Sequence, residues 1–172
     1  MDWTRSTDRP GRGGPWVALA LGCLVLATMG CGIFGGGKSA AAGGGDGREI
    51  RLTLTAEEQL NTCGGGGPAN ALGVRVYQLG SDRGMSSVPQ AALWEDDAKE
   101  LGPELVDRQE YFLDPGATQK VTLRLKPQSR SLAVVGNFCS SEGTCWKWVR
   151  SIEGMRSEIV LRFGETCLEA AP

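Results

Sequence analysis

The residues that first suggest chemistry are the eight in "GIFGGGKS", residues 32–39, which fit the phosphate-binding pattern G-x-x-x-x-G-K-S. In a nucleotide site this loop follows a buried strand and opens a helix, so that backbone N–H groups and the helix dipole meet the phosphates. Here an apolar leader precedes the loop, and the glycine-rich run "AAAGGGDG" that follows it is a poor helix former. We therefore predict that the match is accidental and that the protein binds no nucleotide.

Candidate catalytic residues are scarce. The chain has no histidine, which excludes imidazole catalysis, Ser-His-Asp triads and histidine metal sites. It also has no S-x-x-K or G-x-S-x-G sequence. We expect no catalytic residue, no cofactor and no enzymatic activity. With 18 basic and 20 acidic residues and no basic stripe, the chain is not expected to bind nucleic acid.

Two smaller groups of residues have both a functional and a structural interpretation. Glu95, Asp96 and Asp97 resemble a hard-cation site, but acids are also stabilised at the start of a helix by its dipole. We expect a solvated helix start there, and no metal site. Trp146 and Trp148, two residues apart, could stack on sugar rings, but burial against the opposite sheet is the expected role.

The first 31 residues have the features of a bacterial lipoprotein signal. A short segment with three arginines is followed by "PWVALALGCLVLATMG", which has no charge and ends at Gly30-Cys31. We predict cleavage before Cys31 and acylation of that cysteine, since two or three acyl chains anchor a protein stably. Gly32 follows where an Asp would favour the inner membrane, so we expect the outer membrane.

Other anchors are compatible with the same segment. No charge occurs between Arg12 and Lys38, so an uncleaved transmembrane helix is one alternative, and lipidation at Cys23 or ordinary cleavage is another. Residues 32–48 are rich in Gly and Ala, which predicts a flexible tether with a root-mean-square span of about 20–25 Å. The folded domain is then expected to occupy residues 49–172.

Four cysteines remain beyond Cys31, and an even number in an exported domain predicts two disulfides with three possible pairings. They are Cys63, Cys139, Cys145 and Cys167. Cys139 and Cys145 lie at the two ends of a predicted hairpin loop, so we expect them to pair and Cys63 to meet Cys167. Zinc is the alternative, but none of the spacings is C-x-x-C.

Period-two alternation of apolar and polar residues divides the folded part into seven short segments separated by turn residues. They are 49–56, 72–79, 107–113, 118–126, 131–138, 146–152 and 157–163. One apolar face on each predicts a mainly β fold, a two-sheet antiparallel β-sandwich. A helical insert is expected at about 86–105, with Ser87 capping a first helix and Asp96 or Asp97 starting a second.

The order of four quoted segments carries a family resemblance. They are "VRVYQL" (74–79), "ALWEDDAKELG" (92–102), "YFLDPG" (111–116) and "AVVGNF" (133–138). Together with the lipoprotein signal, this set resembles the type VI secretion outer-membrane lipoprotein family (TssJ, also called SciN or VasD). The resemblance covers about residues 50–152. It implies a transthyretin-like sandwich with a small helical insert.

The resemblance also implies a non-enzymatic role in assembly at the periplasmic face of the outer membrane. Members of the family bind the periplasmic C-terminal part of the large inner-membrane subunit, the TssM family, through the loop between the first two strands. The corresponding positions here are Gln59, Asn61, Gly64, Gly65, Gly66, Gly67, Pro68 and Asn70. Thr62-Cys63 and the four glycines depart from the family pattern. The alternative is another outer-membrane sandwich lipoprotein, a pilotin or a glycan-binding module.

Overall fold

The structure is a computed structural model that describes residues 47–64, 66–140 and 143–171. The expected signal sequence, the predicted lipidation site Cys31, the match to the phosphate-binding pattern, Gly65 and most of the expected tether lie outside these residues. Within them, no helix has the length and apolar character needed to cross a bilayer.

In the part of the chain that the structure describes, eight strands form two four-stranded sheets. They are β1 (Glu49–Ala56), β2 (Leu72–Leu79), β3 (Leu105–Leu113), β4 (Thr118–Arg124), β5 (Ser131–Gly136), β6 (Lys147–Ser151), β7 (Glu158–Phe163) and β8 (Leu168–Ala170). One sheet has the order β4-β1-β7-β8 and the other β3-β2-β5-β6. The seven predicted strands and the mainly β, two-sheet sandwich are confirmed. The strand that was not predicted, β8, has three residues, too few to show an alternation.

One strand pair departs from the expected antiparallel arrangement. Strand β1 pairs with β4 in the antiparallel sense but with β7 in parallel, with Leu52 opposite Ile159 and Leu54 opposite Leu161. Alternation along a strand specifies which side chains face the core, because successive side chains point to opposite faces. It carries no information about the direction of the neighbouring strand, so this pairing was not predictable from the pattern.

The inward side chains of the two sheets form one core. Ile50, Leu52 and Leu54 of β1 are fully buried, as the alternation predicts, and they face the inward residues of β2, which include Val74 and Val76. Strand β5 is buried along its whole length. Both faces of β5 are covered because the helical insert packs on the outer face of its sheet.

The insert consists of three short helices and a 3₁₀ turn. They are α1 (Arg83–Ser87), α2 (Gln90–Glu95), α3 (Asp97–Leu101) and the turn Gly102–Glu104. The insert therefore begins earlier than predicted, and Ser87 ends α1 instead of capping a helix. Pro89 is the residue immediately before α2 and has the extended conformation that Pro favours. Asp96 caps α3 as expected, accepting a hydrogen bond from the backbone N–H of Lys99 at 3.0 Å.

The folded domain begins slightly before the expected boundary at residue 49. Arg48, placed in the tether from its sequence context, donates from Nη1 to the carbonyl of Ile152 at 2.9 Å and also binds the carbonyl of Met155. Its own carbonyl accepts from the N–H of Leu125 at 2.9 Å. These bonds join Arg48 to two connections of the sandwich.

A disulfide-bonded loop surface as the candidate binding site

The strand directions place four connections at one end of the sandwich, which we call the disulfide end. These are the β1–β2 loop (57–71), the β3–β4 turn (114–117), the β5–β6 loop (137–146) and the β7–β8 turn (164–167). The opposite end, where the chain enters at Gly47, is called the Gly47 end. Loops held on a rigid scaffold are where folds of this type place binding residues, so the disulfide end is the candidate site.

The β1–β2 loop is held at its base by buried side chains. Leu60 is fully buried and Asn61 is 6 % exposed. The Asn61 amide donates to the carbonyl of Ala71 at 3.2 Å and accepts from the backbone N–H of Cys139 at 2.9 Å. Asn61 has a φ of 49°, a left-handed conformation that Asn tolerates well. The buried amide therefore connects both ends of its own loop and the β5–β6 loop.

Two disulfides connect three of the four connections, and their pairing corrects the predicted one. Cys63 bonds to Cys139, and Cys145 bonds to Cys167, each pair with Cα atoms 5.0 Å apart. The β1–β2 loop folds over the end of β5 and brings Cys63 to Cys139, while β8 brings Cys167 to the start of β6. Pairing inside the β5–β6 loop was the wrong expectation because sequence proximity does not report which connections meet at one end of a sandwich.

Backbone and side-chain hydrogen bonds join the same connections. The N–H of Glu57 donates to the backbone carbonyl of Phe163 at 2.9 Å, and the N–H of Gly116 donates to the backbone carbonyl of Glu57 at 3.1 Å. The hydroxyl of Thr62 binds the carboxylate of Glu165 in the β7–β8 turn. The β3–β4 and β7–β8 turns thus support the β1–β2 loop from two sides.

The tip of the β1–β2 loop stands in solvent. Gln59, Gly64, Gly66, Pro68 and Asn70 are exposed, Gly67 is half-buried, and only Asn61 of the described predicted positions is buried. Gly66 has a φ of 73°, and a Cβ at Gly67 would lie 2.8 Å from the carbonyl oxygen of Thr62. A residue with a side chain would therefore have a strained backbone at Gly66 and would clash with the backbone at Gly67. The arrangement is a fixed base with an exposed tip, the geometry of a binding loop.

The disulfide end is acidic. Its four connections contain Glu57, Glu58, Asp114 and Glu165 among the described residues, all exposed, and no Lys or Arg occurs in their sequences. Arg162, at the end of β7, lines the same cleft as Glu57 and Glu165 and offsets part of this charge. The remaining acidic charge favours a partner surface of the opposite sign and accelerates its encounter. Sequence reasoning missed this surface because the acids are spread over three connections.

A second charged cluster lies under the helical insert. Asp97 is 4 % exposed and accepts hydrogen bonds from the hydroxyl of Tyr77 at 2.9 Å and from Nη1 of Arg108 at 2.8 Å. Burial acts to raise the pKa of Asp97, but the hydrogen bonds from Arg108 and Tyr77 outweigh it and hold that pKa below its ordinary value. Burial raises the pKa of Tyr77. The expectation that Asp97 belongs to a solvated helix start is therefore wrong, whereas Glu95 and Asp96 are exposed.

Two further hypotheses from the sequence concerned a pair of tryptophans and a metal site. Trp146 is 5 % exposed, so its faces are not available for stacking on a sugar, and Trp148 is half-buried. Across the part of the chain that the structure describes, no three His, Cys, Asp or Glu side chains gather in a way that could hold a metal ion.

Comparison with known proteins agrees with this architecture. Residues 48–165 match the family described as "Type VI secretion lipoprotein, VasD, EvfM, TssJ, VC_A0113". No curated protein matches the chain. Among solved structures, the T6SS lipoprotein TssJ1 from Pseudomonas aeruginosa is 27 % identical, with a TM-score of 0.64 over 72 % of this chain and 96 % of that one.

Two further structures share the fold at lower identity. Serratia marcescens Lip, a membrane-bound component of the type VI secretion system, is 21 % identical, with a TM-score of 0.65 over 72 % of this chain and 97 % of that one. A chain in a structure described as the T6SS protein TssM C-terminal domain from EAEC is 20 % identical, with a TM-score of 0.64 over 72 % and 98 %. Since the matched family spans most of the folded domain, this chain belongs to the type VI secretion lipoprotein family.

Proposed function

We propose that this protein is a non-enzymatic anchor of the type VI secretion complex. In this role it is lipidated at Cys31, sits on the periplasmic face of the outer membrane and binds the periplasmic C-terminal domain of the TssM-family subunit. The observation that carries the proposal is the fixed base and exposed tip of the β1–β2 loop in a member of this lipoprotein family. The family match and the structure described as a TssM C-terminal domain both support it.

The contact surface follows from the way the loop is held. Because the Cys63–Cys139 bond and the Asn61 amide hold the loop base, binding at the tip requires little ordering of the backbone. Preorganisation of this kind strengthens binding by reducing the entropy lost on association. We place the contact at Gly64, Gly66 and Pro68, with the acids of the neighbouring turns at its rim.

The acidic rim predicts the charge of the partner. Since the four connections contribute Glu57, Glu58, Asp114 and Glu165 and no Lys or Arg, the docking face of the TssM-family domain is expected to be basic. Rim charges act mainly on the association rate, so the on-rate should fall as salt is added, more steeply than the off-rate changes.

Calorimetric titration tests partner binding. The chain from Gly32 onwards, oxidised, is titrated with the cognate TssM-family periplasmic domain, and the variant Pro68→Trp is compared with Pro127→Trp. Both prolines are exposed, but Pro68 lies at the loop tip and Pro127 at the Gly47 end. We expect Pro68→Trp to weaken binding at least about tenfold and Pro127→Trp to leave it unchanged. Equal loss in both variants, or no binding by the folded wild type, would contradict the proposal.

Mass spectrometry of the full-length protein tests the anchor. The protein is purified from the outer-membrane fraction, and its N-terminal peptide should begin at Cys31 and carry acyl chains. Cys31→Ser should abolish the acylated peptide, and Cys23→Ser should leave it intact. An unprocessed N-terminus, or acylation that depends on Cys23, would contradict lipidation at Cys31 without bearing on partner binding.

A further inference from the structure

A group of basic residues is exposed at the Gly47 end. They lie on the segment leading into β1, at the start of α1 and on the β4–β5 and β6–β7 connections, and we call this set the basic surface. They are Arg48, Arg83, Lys126, Arg130 and Arg156. The rest of the β2–β3 connection packs on the outer face of its sheet, carries Lys99 and several acids, and is not part of this surface.

The basic surface is not neutralised by ion pairs. Other arginines, such as Arg51 and Arg108, have carboxylate partners within 4 Å. None of the five members of the basic surface has such a partner among the described residues, and the contacts of Arg48 and Arg130 are with backbone carbonyls. Asp82, Glu104 and Glu153 lie at the same end and offset part of the charge.

Open clefts divide this end into pockets of the size of a phosphate headgroup or larger. Arg48, Arg83 and Arg130 line one cleft of about 670 Å³, whose walls include Asp82, Glu153 and several serines. A neighbouring cleft of about 280 Å³ shares Arg48 and adds Lys126. Guanidinium groups with donors left over, next to serine hydroxyls, are suited to phosphate oxygens.

Apolar side chains accompany the basic ones. The β6–β7 connection reads Ile152-Glu153-Gly154-Met155-Arg156, and its Ile152 and Met155 are half-buried. Both side chains pack against the core, so the docking of this end depends on its basic residues and on the clefts between them.

We propose that the basic surface docks on anionic phospholipid headgroups of the membrane to which the chain is anchored. This inference rests on the proposed lipidation at Cys31. Residues 32–46 would join the anchor to Gly47, and their Gly/Ala-rich composition predicts a span of about 20–25 Å. The basic surface is the part of the domain nearest to that attachment point. Electrostatic attraction between the basic surface and anionic headgroups acts over about 8 Å at physiological salt. A tether of this length lets the basic surface come that close to the bilayer.

Docking orients the domain for its partner. With the Gly47 end on the bilayer, the disulfide end points away from the membrane, and its acids are repelled by the same anionic surface. The β1–β2 loop is then held toward the partner instead of sampling all directions. The lipid contact thereby raises the effective concentration of the correctly oriented loop.

Vesicle flotation of the chain from Gly32 onwards, which lacks the anchor, tests the proposal. The probe is vesicles of equal parts phosphatidylcholine and phosphatidylglycerol, compared with phosphatidylcholine alone. The double variant Lys126→Glu with Arg156→Glu is compared with Lys120→Glu with Arg162→Glu. The control pair also has one Lys and one Arg, both exposed, but on the outer face of the β4-β1-β7-β8 sheet.

We expect binding to the anionic vesicles only, lost at about 1 M salt. The Gly47-end variant should bind at least about tenfold more weakly, since each basic residue near an anionic surface contributes about fivefold. The control pair should change binding less than about threefold. Equal binding to neutral vesicles, or equal loss in both variants, would overturn the proposal. The Gly47-end variant should keep wild-type affinity for the TssM-family domain, which separates this result from the proposed function.

Discussion

Nη1 of Arg108, on strand β3, lies 2.8 Å from Oδ2 of Asp97, on helix α3, and this ion pair ties the helical insert to the sheet beneath it. The hydroxyl of Tyr77 donates to the same oxygen at 2.9 Å, and Nη1 of Arg75 lies 3.4 Å from it. The Arg75 guanidinium also stacks on the Trp94 ring, 4.1 Å from its centre. These donors supply the hydrogen bonds that the buried Asp97 carboxylate needs. Without the carboxylate, the same donors would be left without an acceptor.

Replacing this carboxylate should destabilise the domain in a pH-dependent way. We expect Asp97→Asn to lower the free energy of unfolding by about 3 kcal/mol at pH 7. Because the pKa of Asp97 is lowered in the fold, its contribution is complete above about pH 4 and is lost as the pH falls through the folded-state pKa. Urea unfolding at pH 7 and at about pH 3 should show the gap between wild type and variant shrinking at the lower pH.

Asp82→Asn is the matched control, since Asp82 is an exposed acid just before helix α1. It should change stability by less than about 0.5 kcal/mol at either pH. A gap for Asp97→Asn that stays constant with pH would show that Asp97 is not held ionised by its donors.

The two disulfides should differ in their contribution to stability. Cys63–Cys139 spans 76 residues and Cys145–Cys167 spans 22. Loop-closure entropy then predicts losses of about 4.5 and about 3.4 kcal/mol when each pair is replaced by Ser. Denaturant unfolding of the two double-serine variants measures this order. Peptide mapping without reduction should recover a Cys63–Cys139 peptide, and a bond between Cys139 and Cys145 would refute the arrangement of the disulfide end.

Truncating the buried loop amide should weaken both folding and partner binding. Asn61→Ala removes a donor to Ala71 and leaves the N–H of Cys139 without its acceptor, so we expect a loss of about 2 kcal/mol in unfolding free energy. Affinity for the TssM-family domain should fall as well, because the loop base loosens. Thermal unfolding and calorimetric titration measure the two effects. Asn137→Ala, at an exposed position of the β5–β6 loop, should change neither.

Replacing the buried amide of Gln78 should destabilise the β4–β5 connection at the Gly47 end. Gln78 is 2 % exposed, and its side-chain oxygen accepts from the N–H of Lys126 and the hydroxyl of Ser129, both at 2.8 Å. We expect Gln78→Leu to cost about 2 kcal/mol, since those donors lose their acceptor. Hydrogen exchange should accelerate at Lys126 and Ser129. Gln128→Leu, an exposed glutamine in the same connection, should leave exchange at Lys126 and Ser129 unchanged.

The strands could be predicted because their determinants are local. Ile50, Leu52 and Leu54 alternate with polar residues, and burying one face of each segment requires a sheet that packs on a second layer. The helical insert was also recognisable, because a helix-capping residue such as Asp96 is a local signal. Its boundaries were less accurate, since the start of α1 at Arg83 has no side-chain cap.

The candidate loop could be found only through the resemblance, and the way it is held could not be found from the sequence. Asn61 and Cys139 are 78 positions apart, so neither their hydrogen bond nor the neighbouring disulfide leaves a local pattern. The environment of Asp97 was missed for the same reason. From the sequence alone, a carboxylate near a helix start is predicted to be solvated. Asp97 is buried because the fold places Arg108 of strand β3 against it.

By itself, the sequence determined the element types, the inward faces of the strands and the absence of histidine chemistry, because each depends on residues close together in the chain or on composition alone. Only the tertiary structure decided the disulfide pairing, the parallel contact of β1 with β7 and the burial of Asp97. It also decided that acids from separate connections gather at the disulfide end and that the members of the basic surface come together at the Gly47 end. These properties arise from contacts between distant segments, which strand order and strand direction set together.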